Sequence, residues 1–404
     1  MLMATFFYRS VLATGLWGCF GIRALVQAQP AKPRPAPPNI YQAIDDKMAH
    51  VPDSSTRTAG GLARYINASF STEDDKARAA FVWVAKNIRY DAEDPYNIVF
   101  FREPADVIRE ALDQRVGVCV QYAELYSAVA NLVGVVTYVV PGYTKQRDGT
   151  VASVGHAWCA SRIAGRWYLL DPTWSAGYVV EDKYVPRFSN EFFRAPPAVF
   201  IRNHMPFDPL WQLLPAPRTA LQFQKGTASV PPLPPLFSFA DSLAAYERQS
   251  PIQQLRATNR RIEQHGVKNG LTYSFLVDNK QRELSQYFTA YNDGVNVFNA
   301  AVDKLNTHVE YQNRQFQPKK TDAELQALLP PIAADFARAR NLTAAVPATD
   351  PSQQTSAEQF QKTLRAAETR LQESQAFMTR YLQANRLMRP LLFLNPSGRN
   401  PMMR

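Results

Sequence analysis

Three side chains with the chemistry of a thiol enzyme occur in order between residues 115 and 174. Cys119 lies in the segment Gly-Val-Cys-Val-Gln-Tyr-Ala, His156 lies in Gly-His-Ala-Trp, and Asp171 ends the segment Trp-Tyr-Leu-Leu-Asp. A thiol nucleophile, an imidazole base and a carboxylate that orients the imidazole are the parts of a catalytic triad. The types and order of these residues therefore predict a nucleophilic cysteine with a histidine as its base.

The sequence around Cys119 predicts a helix that begins at the thiol. Gly117 comes just before it, and apolar residues then recur at helical spacing as far as Gly134, which suits a helix end. A helix N-terminus stabilises an anion such as a thiolate, and the free N–H groups of its first turn can hold an oxyanion. The alternative is that Cys119 is a small buried apolar residue, as most cysteines are.

A predicted β-hairpin brings His156 and Asp171 together. An Ala-Gly turn at 164–165 separates two strand-like segments, 154–163 and 167–170. In that register His156 faces a position within about two residues of Asp171, and both side chains lie on one face of the sheet. The carboxylate can then accept the imidazole N–H and orient the ring.

The other cysteines have different interpretations. Cys159 is three residues from His156, so its side chain points to the opposite face of the strand, and we interpret it as core packing. This orientation argues against a disulfide between Cys119 and Cys159, which is the structural alternative. With so few cysteines the chain is not a disulfide scaffold.

Length and composition bound the class of protein. The chain has 404 residues, which suits two domains, and 46% of them are hydrophobic, as in globular proteins. The formal net charge of +10 is spread as single Lys and Arg residues among acids, which favours anionic surroundings in general. Neither zinc-finger spacing nor an aromatic-glycine RNA motif is present, so we predict no nucleic-acid partner. We expect no cofactor or metal, and no calcium-binding loop motif occurs.

The N-terminal segment is typical of a secretory signal. Residues 1–9 form a short positive region, residues 11–22 are apolar but too short to span a bilayer, and Val-Gln-Ala at 26–28 is a small-residue cleavage pattern. We therefore expect a protein that is exported (secreted, periplasmic or associated with the cell envelope) and begins at Gln29. The alternative is a lipoprotein box, Leu-Trp-Gly-Cys, which would lipidate Cys19. No later segment predicts a transmembrane span.

Composition also predicts the domain organisation. Beyond a Pro-rich stretch, heptad-like apolar spacing over 284–309 and 360–381 predicts two long helices, and 241–265 and 322–339 resemble two more. The predicted segments are a signal peptide (1–28), a Pro-rich linker with an N-terminal segment (29–56), a catalytic domain (57–228), a second Pro-rich linker (229–240), a helical bundle (241–390) and a loose C-terminal tail (391–404).

The blocks around Cys119, His156 and Asp171 resemble the three motif blocks of the transglutaminase-like superfamily. The segment Val-Pro-Gly-Tyr at 140–143 also matches, and the stretches 81–91 and 204–214 resemble the kyphoscoliosis-peptidase branch. The resemblance covers roughly residues 57 to 223. It implies an α+β fold, with a papain-like core and an antiparallel sheet, followed in this chain by the all-α helical bundle.

The resemblance also implies roles for individual residues. Cys119 would be the nucleophile, His156 the general base and acid, and Asp171 the orienting residue. Gln114 lies where papain-like enzymes often place an oxyanion-hole glutamine. Cys159 departs from the pattern, because the family commonly has a polar residue there. The superfamily includes peptidases, amide-processing enzymes, crosslinkers and inactive relatives, so the fold alone does not choose among them.

Three functional hypotheses follow. The first is an exported cysteine hydrolase that cleaves peptide or isopeptide amides in a protein or peptide substrate through a thioester. The second keeps this chemistry but transfers the acyl group to an amine, which makes the protein a crosslinker. The third is a catalytically silent binding or scaffold protein that acts through its helical region.

Overall fold

The computed structural model describes residues 39–146, 148–226, 238–344 and 351–394, and the side chains of all of these except 351–354. The predicted signal peptide, Cys19, most of the second Pro-rich linker and residues 395–404 lie outside the described residues. The described residues from Ala43 onward belong to one compact unit. Every helix in the described part is too short or too polar to cross a lipid bilayer.

Helices make up most of the described chain. They are α1 (Gln42–Met48), α2 (Ala59–Ser69), α3 (Glu73–Asn87), α4 (Pro104–Gln114), α5 (Cys119–Leu132), α6 (Pro172–Ala176), α7 (Pro197–Phe200), α8 (Ala220–Lys225), α9 (Phe239–Glu247), α10 (Pro251–His265), α11 (Gly270–Asn313), α12 (Asp322–Gln326), α13 (Pro330–Thr343), α14 (Pro351–Gln383) and α15 (Arg389–Leu392), with short 3-10 turns at Asp53–Ser55 and Pro209–Gln212.

The strands form one principal antiparallel sheet and two small pairs. They are β1 (Arg89–Tyr90), β2 (Val116–Gly117), β3 (Thr137–Lys145), β4 (Val151–Ile163), β5 (Arg166–Leu170), β6 (Gly177–Val180), β7 (Lys183–Pro186) and β8 (His204–Pro206). The principal sheet has the order β5-β4-β3-β8, β1 pairs with β2 in parallel, and β6 pairs with β7 as a hairpin. Separate helices around an antiparallel sheet confirm the predicted α+β class.

Local signals in the sequence place the elements around the site. The helix predicted at Cys119 is confirmed, since α5 begins at that residue and Gly134 follows its end with φ +93°. The predicted hairpin is also confirmed, because β4 and β5 flank the turn at residues 164–165 and pair with Cys159 opposite Leu170. A positive φ at the turn suits the glycine found there.

Prolines divide two of the predicted helices. The segment 241–265 contains α9 and α10, which are separated just before Pro251, and the segment 322–339 contains α12 and α13, which are separated just before Pro330. Proline is tolerated in the first turn of a helix but not in its interior, so each proline starts a new helix. The long helices predicted around 284–309 and 360–381 are confirmed as α11 and α14.

The helices after residue 238 contact two different partners. Helix α9 contributes Leu243 to a buried apolar cluster with Trp158 of β4, and α10 and the start of α11 contribute Ile262 and Phe275 to a cluster with Tyr143 of β3. The later part of α11 packs instead with α12, α13 and α14 in a separate apolar cluster. We call this second part, residues 294–394, the distal bundle. The domain boundaries drawn from composition remain predictions.

Candidate active site

Cys119 is the first residue of α5, and the elements before it fix its position. Strand β2 ends at Gly117 and pairs in parallel with Tyr90 of β1, which fixes the chain just before the helix. The N–H of Val118 donates to Oε1 of Gln121 at 3.1 Å, so a side chain of the first turn closes the helix start. The thiol is free and the residue is 1% exposed. Cys119 thus lies at a buried helix N-terminus, where the dipole and the N–H groups favour an anion.

His156 and Asp171 lie within hydrogen-bond distance. Strand β4 carries His156, and Asp171 follows the last residue of β5, so the hairpin brings them together. The Nε2 atom of His156 is 2.7 Å from Oδ2 of Asp171, and both residues are buried. Because the carboxylate accepts, Nε2 carries the hydrogen of this bond and Nδ1 is the nitrogen left for the thiol. The Cys119 thiol lies close enough to His156 for its charge to act on the ring.

Each carboxylate oxygen of Asp171 accepts two hydrogen bonds from donors within the site. Asp171 caps α6, and its Oδ1 accepts the backbone N–H groups of Thr173 and Trp174 at 2.8 and 3.0 Å. Its Oδ2 accepts from His156 and, at 3.0 Å, from Nε2 of His204. Burial alone would raise the pKa of this carboxyl, but the charge and hydrogen bond of His156 and the bond from His204 hold it well below its usual range.

The same contacts set the protonation of His156. Burial favours the neutral ring, but the negative charges of Asp171 and Cys119 outweigh it and raise the pKa of His156 to about 10. The protonated ring is therefore the favoured form at neutral pH, with the carboxylate of Asp171 on its Nε2.

His204 of β8 is a third side chain beside His156 and Asp171, and the local sequence pattern predicts no role for it. Its Nδ1 lies 2.7 Å from the side-chain amide of Asn203, its ring stacks 4.0 Å from the ring of Phe200, and it is fully buried. Burial lowers the pKa of His204 to about 4, so the ring is neutral. Its Nε2 donates the ring hydrogen to Asp171, and its Nδ1 accepts an N–H from the Asn203 amide, whose oxygen and nitrogen exchange places when the group is turned by 180°. Strand β8 has only three residues, His, Met and Pro, which are too few to show a strand period in the sequence.

Side chains of His156, Asp171 and His204 each offer a ligand atom, and these atoms lie within 4.8 Å of one another. Their separations would allow all three atoms to coordinate one metal ion. Each short contact here is explained by a hydrogen bond to Asp171, however, and a metal would displace the hydrogens that make those bonds. The arrangement fits the positioning of His156 for proton transfer.

The remaining predicted residues lie apart from this cluster. Cys159 is buried on the face of β4 opposite His156, and its Sγ lies 3.4 Å from the carbonyl oxygen of Ala123 in α5. Both Cys119 and Cys159 are free thiols, so the alternative of a disulfide is wrong for this structure. Gln114 is the exposed last residue of α4. Its role at an oxyanion hole stays a prediction.

Comparison with known proteins places this arrangement in a family. Residues 60–172 match the family described as the transglutaminase-like superfamily. Kyphoscoliosis peptidase from Homo sapiens is 34% identical over 38% of this chain and 24% of its own length, and hillarin from Drosophila melanogaster is 23% identical over 48% of this chain and 26% of its own length. A solved structure titled "Crystal structure of a TGase" matches 38% of this chain and 37% of its own at 21% identity, with a TM-score of 0.23.

The family match and the similarity to kyphoscoliosis peptidase confirm the resemblance seen in the sequence motifs. The matched region is a transglutaminase-like domain, and among curated relatives it is similar to the kyphoscoliosis-peptidase branch. The matched region spans about a quarter of the length of those curated relatives.

Proposed function

We propose that this protein is a thiol enzyme that acts on amide bonds through Cys119, His156 and Asp171. The observation that carries the proposal is the hydrogen bond between His156 and a buried carboxylate with four donors, with Cys119 at the start of α5 near enough for its charge to act on the imidazole. A histidine kept protonated between two anions is prepared to give its proton to a departing amine. The similarity to kyphoscoliosis peptidase, a relative named as a peptidase, supports the same reaction class.

In this proposal the thiolate of Cys119 attacks the carbonyl carbon of an amide. The first-turn N–H groups of α5 stabilise the oxyanion that forms, and His156 protonates the nitrogen as the carbon–nitrogen bond breaks. The products of this step are a thioester on Cys119 and a free amine. Water or a second amine then attacks the thioester carbon and gives a proton to His156. The carbon–sulfur bond breaks, Cys119 leaves as the thiolate, and the acyl product is released.

Thiol labelling tests whether Cys119 is the nucleophile. Cys119 is only 1% exposed, so the probe should be as small as iodoacetamide. We expect alkylation of the native protein at Cys119, and no such adduct in Cys119→Ala. The matched control is Cys159→Ala, which removes the other buried free thiol and should leave the labelling unchanged. Absence of labelling in a folded sample would contradict the enzyme proposal and leave the scaffold hypothesis.

Mass analysis of a glutamine-containing peptide separates the two acyl-transfer reactions. With the enzyme alone, hydrolysis of the side-chain amide adds about one mass unit, and peptide-bond hydrolysis gives two fragments. With a primary amine present, a crosslinking enzyme adds the mass of the amine minus that of ammonia. Suppose that iodoacetamide labels Cys119 in a separate sample of the enzyme. A peptide whose mass then stays unchanged under both conditions would exclude glutamine amides as the substrate.

We also propose that the protein is exported, on the basis of its N-terminal sequence. Mass spectrometry of the N-terminus of the protein expressed in a bacterium tests this. An N-terminus at Gln29 supports signal-peptide cleavage, a lipid-modified Cys19 supports the lipoprotein alternative, and an intact Met1 contradicts both.

A further inference from the structure

Tight turns at the end of the distal bundle place apolar side chains along one side of the chain. The N–H groups of Leu391 and Leu394 donate to the carbonyl oxygens of Met388 and Leu391 at 3.1 and 3.2 Å. Each of these bonds spans three residues, and side chains three positions apart in such turns lie one above the other. Met388, Leu391 and Leu394 therefore share one side of the turns that contain α15.

The other sides of these turns hold them to the bundle. The guanidinium of Arg389 pairs with the carboxylate of Asp322 by two contacts of 2.6 and 2.8 Å, and it lies 4.8 Å from the centre of the Tyr381 ring. The ring of Phe393 lies 5.7 Å from the ring of Phe316, inside the apolar cluster of the bundle. These contacts fix the orientation of the turns, so the fold decides which side chains face outward.

Four apolar side chains face outward from the turns. The exposed fractions are 86% for Leu387, 53% for Met388, 51% for Leu391 and 82% for Leu394. We call these four residues the bundle-end face. A single exposed leucine is ordinary, but a group of apolar side chains within one short segment forms a patch, and such patches with polar surroundings mark interaction surfaces.

Basic residues lie around the bundle-end face. The ion pair of Asp322 with Arg389 ties the loop before α12 to the turns around α15. The segments 314–324 and 384–394 together have five basic residues and two acidic residues, and one of the acids is Asp322 itself. Four of the basic side chains are exposed: Arg314, Lys319, Lys320 and Arg386. This end of the bundle therefore combines an apolar patch with a local excess of positive charge.

This combination fits an anionic lipid surface better than a protein partner. Basic side chains are attracted to anionic headgroups, and apolar side chains beside them enter the boundary between headgroups and acyl chains. A stable protein–protein interface buries about 800 Å² on each partner, which is more than four side chains supply. The net charge of +10 adds a general attraction of the whole chain to an anionic surface.

We propose that the bundle-end face docks this protein onto the surface of a membrane that contains anionic phospholipids. The four apolar side chains enter the lipid interface, and the basic residues around them contact lipid phosphates. The segment 384–394 is too short to cross a bilayer, so the contact is made with one surface of it. This binding requires no chemistry at Cys119 and is independent of the proposed reaction.

Vesicle flotation with the full chain tests the proposal. The probes are vesicles of phosphatidylcholine with one-third phosphatidylglycerol, and vesicles of phosphatidylcholine alone. We expect binding to the anionic vesicles to be about tenfold stronger or more, and to weaken as the salt concentration rises. Equal binding to both kinds of vesicle, or no binding to either, would overturn the inference.

A pair of leucine substitutions locates the apolar contact. Leu387→Ser combined with Leu391→Ser should lower the partition coefficient for anionic vesicles about tenfold or more. The matched control is Leu132→Ser combined with Leu221→Ser, since those leucines are 55% and 56% exposed on α5 and α8. It should bind as the native chain does. An unchanged partition coefficient in the first variant, or the same loss in both, would overturn the inference.

A pair of lysine substitutions tests the contact with headgroups. Lys319→Gln combined with Lys320→Gln should weaken binding to the anionic vesicles about fivefold or more and reduce its dependence on salt. Lys183→Gln combined with Lys362→Gln is the control, because these lysines are exposed on β7 and α14. If both pairs weaken the binding equally, only the total charge matters and the proposed docking surface is wrong.

Hydrogen–deuterium exchange with mass spectrometry distinguishes this face from the apolar N-terminal residues 11–22. We expect anionic vesicles to slow exchange in 384–394 and in 314–321. Protection confined to other segments would overturn the inference. Exchange in 384–394 that is already slow without vesicles would mean that another segment or a second copy of the chain covers the face, which would also overturn it. Sedimentation velocity of the native chain and of the Leu387→Ser, Leu391→Ser variant would identify a second copy.

Discussion

Two buried histidines, one beside the site and one in the distal bundle, differ in their hydrogen-bond partners. His204 is fully buried beside the site, and both of its ring nitrogens have partners, Asp171 and Asn203. His308 is 5% exposed in the core of the distal bundle, and neither of its nitrogens has a hydrogen-bond partner among the described residues. Burial lowers the pKa of both rings.

The contrast indicates what each region requires. An unpartnered buried polar group costs about 1–3 kcal/mol, so a network in which every group is paired holds one arrangement strongly. The site needs this definition because proton transfer depends on the position of His156. The distal bundle needs only an apolar interior, supplied by residues such as Phe298, Leu305 and Phe336, and it tolerates a histidine without partners.

Replacing the carboxylate of the network should have the largest effect. In Asp171→Asn the side chain is neutral, so it no longer forms an ion pair with the protonated His156. It also no longer offers a charged oxygen to accept the N–H groups of both His156 and His204, and the bond that orients His156 is lost. We expect the acylation rate to fall by about a thousandfold or more. Single-turnover kinetics with a chromogenic ester would measure it.

Asp208→Asn is a matched control for that change. Asp208 is also a buried carboxylate and is paired bidentately with Arg261 by contacts of 2.6 and 2.8 Å, away from the thiol. It should lower the melting temperature but leave the acylation rate of the folded protein within about twofold. Equal rate losses in both variants would mean that Asp171 acts only through stability.

The role of His204 can be separated from packing by two substitutions. His204→Phe keeps a ring but removes the donor to Asp171, and we expect the acylation rate to fall about tenfold to a hundredfold. His204→Gln retains an N–H group near the position of Nε2 and should recover much of that loss. His308→Phe, the same change in the distal bundle, should leave the rate unchanged. If Gln restores nothing, His204 acts through its shape alone.

The free energy of unfolding should depend on pH because His204 and His308 have lowered pKa values in the folded protein. The pKa of His204 is about 4 in the folded protein against about 6.5 unfolded. The unfolded state therefore binds the additional proton between these values, and stability falls as the pH falls from 6.5 to 4, by at most about 3 kcal/mol. Urea unfolding at a series of pH values should show this slope, and His204→Phe should reduce it. His308 contributes in the same direction, so the difference between the two proteins isolates His204.

His156 should act at the opposite end of the pH range. Its folded pKa of about 10 exceeds the unfolded value, so its contribution is fully present below pH 6.5 and is lost as the pH rises toward 10. His156→Gln should flatten the alkaline side of the stability curve. A native curve that is flat above pH 7 would contradict the ion pair.

The smallest change concerns the distal bundle alone. A Cβ atom on Gly294 of α11 would lie 2.5 Å from Cγ2 of Thr343 in α13, so Gly294→Ala should force these helices apart and cost about 1–2 kcal/mol. Alanine is the better helix former, which offsets part of this cost. Thermal unfolding would measure the loss, and iodoacetamide labelling of Cys119 should not change. Altered labelling would show that the distal bundle communicates with the site.

Local patterns in the sequence were sufficient for several features of the site. A run of apolar residues at helical spacing starting at Cys119 predicts α5, and a two-residue turn fixes the register that brings His156 to Asp171. These predictions succeed because helix period, strand alternation and turn chemistry depend on neighbours within a few residues. The long helices α11 and α14 were predictable for the same reason, and prolines explain where shorter helices are divided.

Tertiary structure decided what joins that hairpin from far along the chain. Strand β8 brings His204 to Asp171, and α11 brings Phe275 and Asp278 to β4 from more than a hundred residues away. No local period encodes either contact, because each depends on how loops close and how apolar clusters pack. The sequence by itself determined the Cys119, His156 and Asp171 set and its supporting elements. Only the fold determined the second histidine on the carboxylate, since His204 and Asp171 meet through long-range packing.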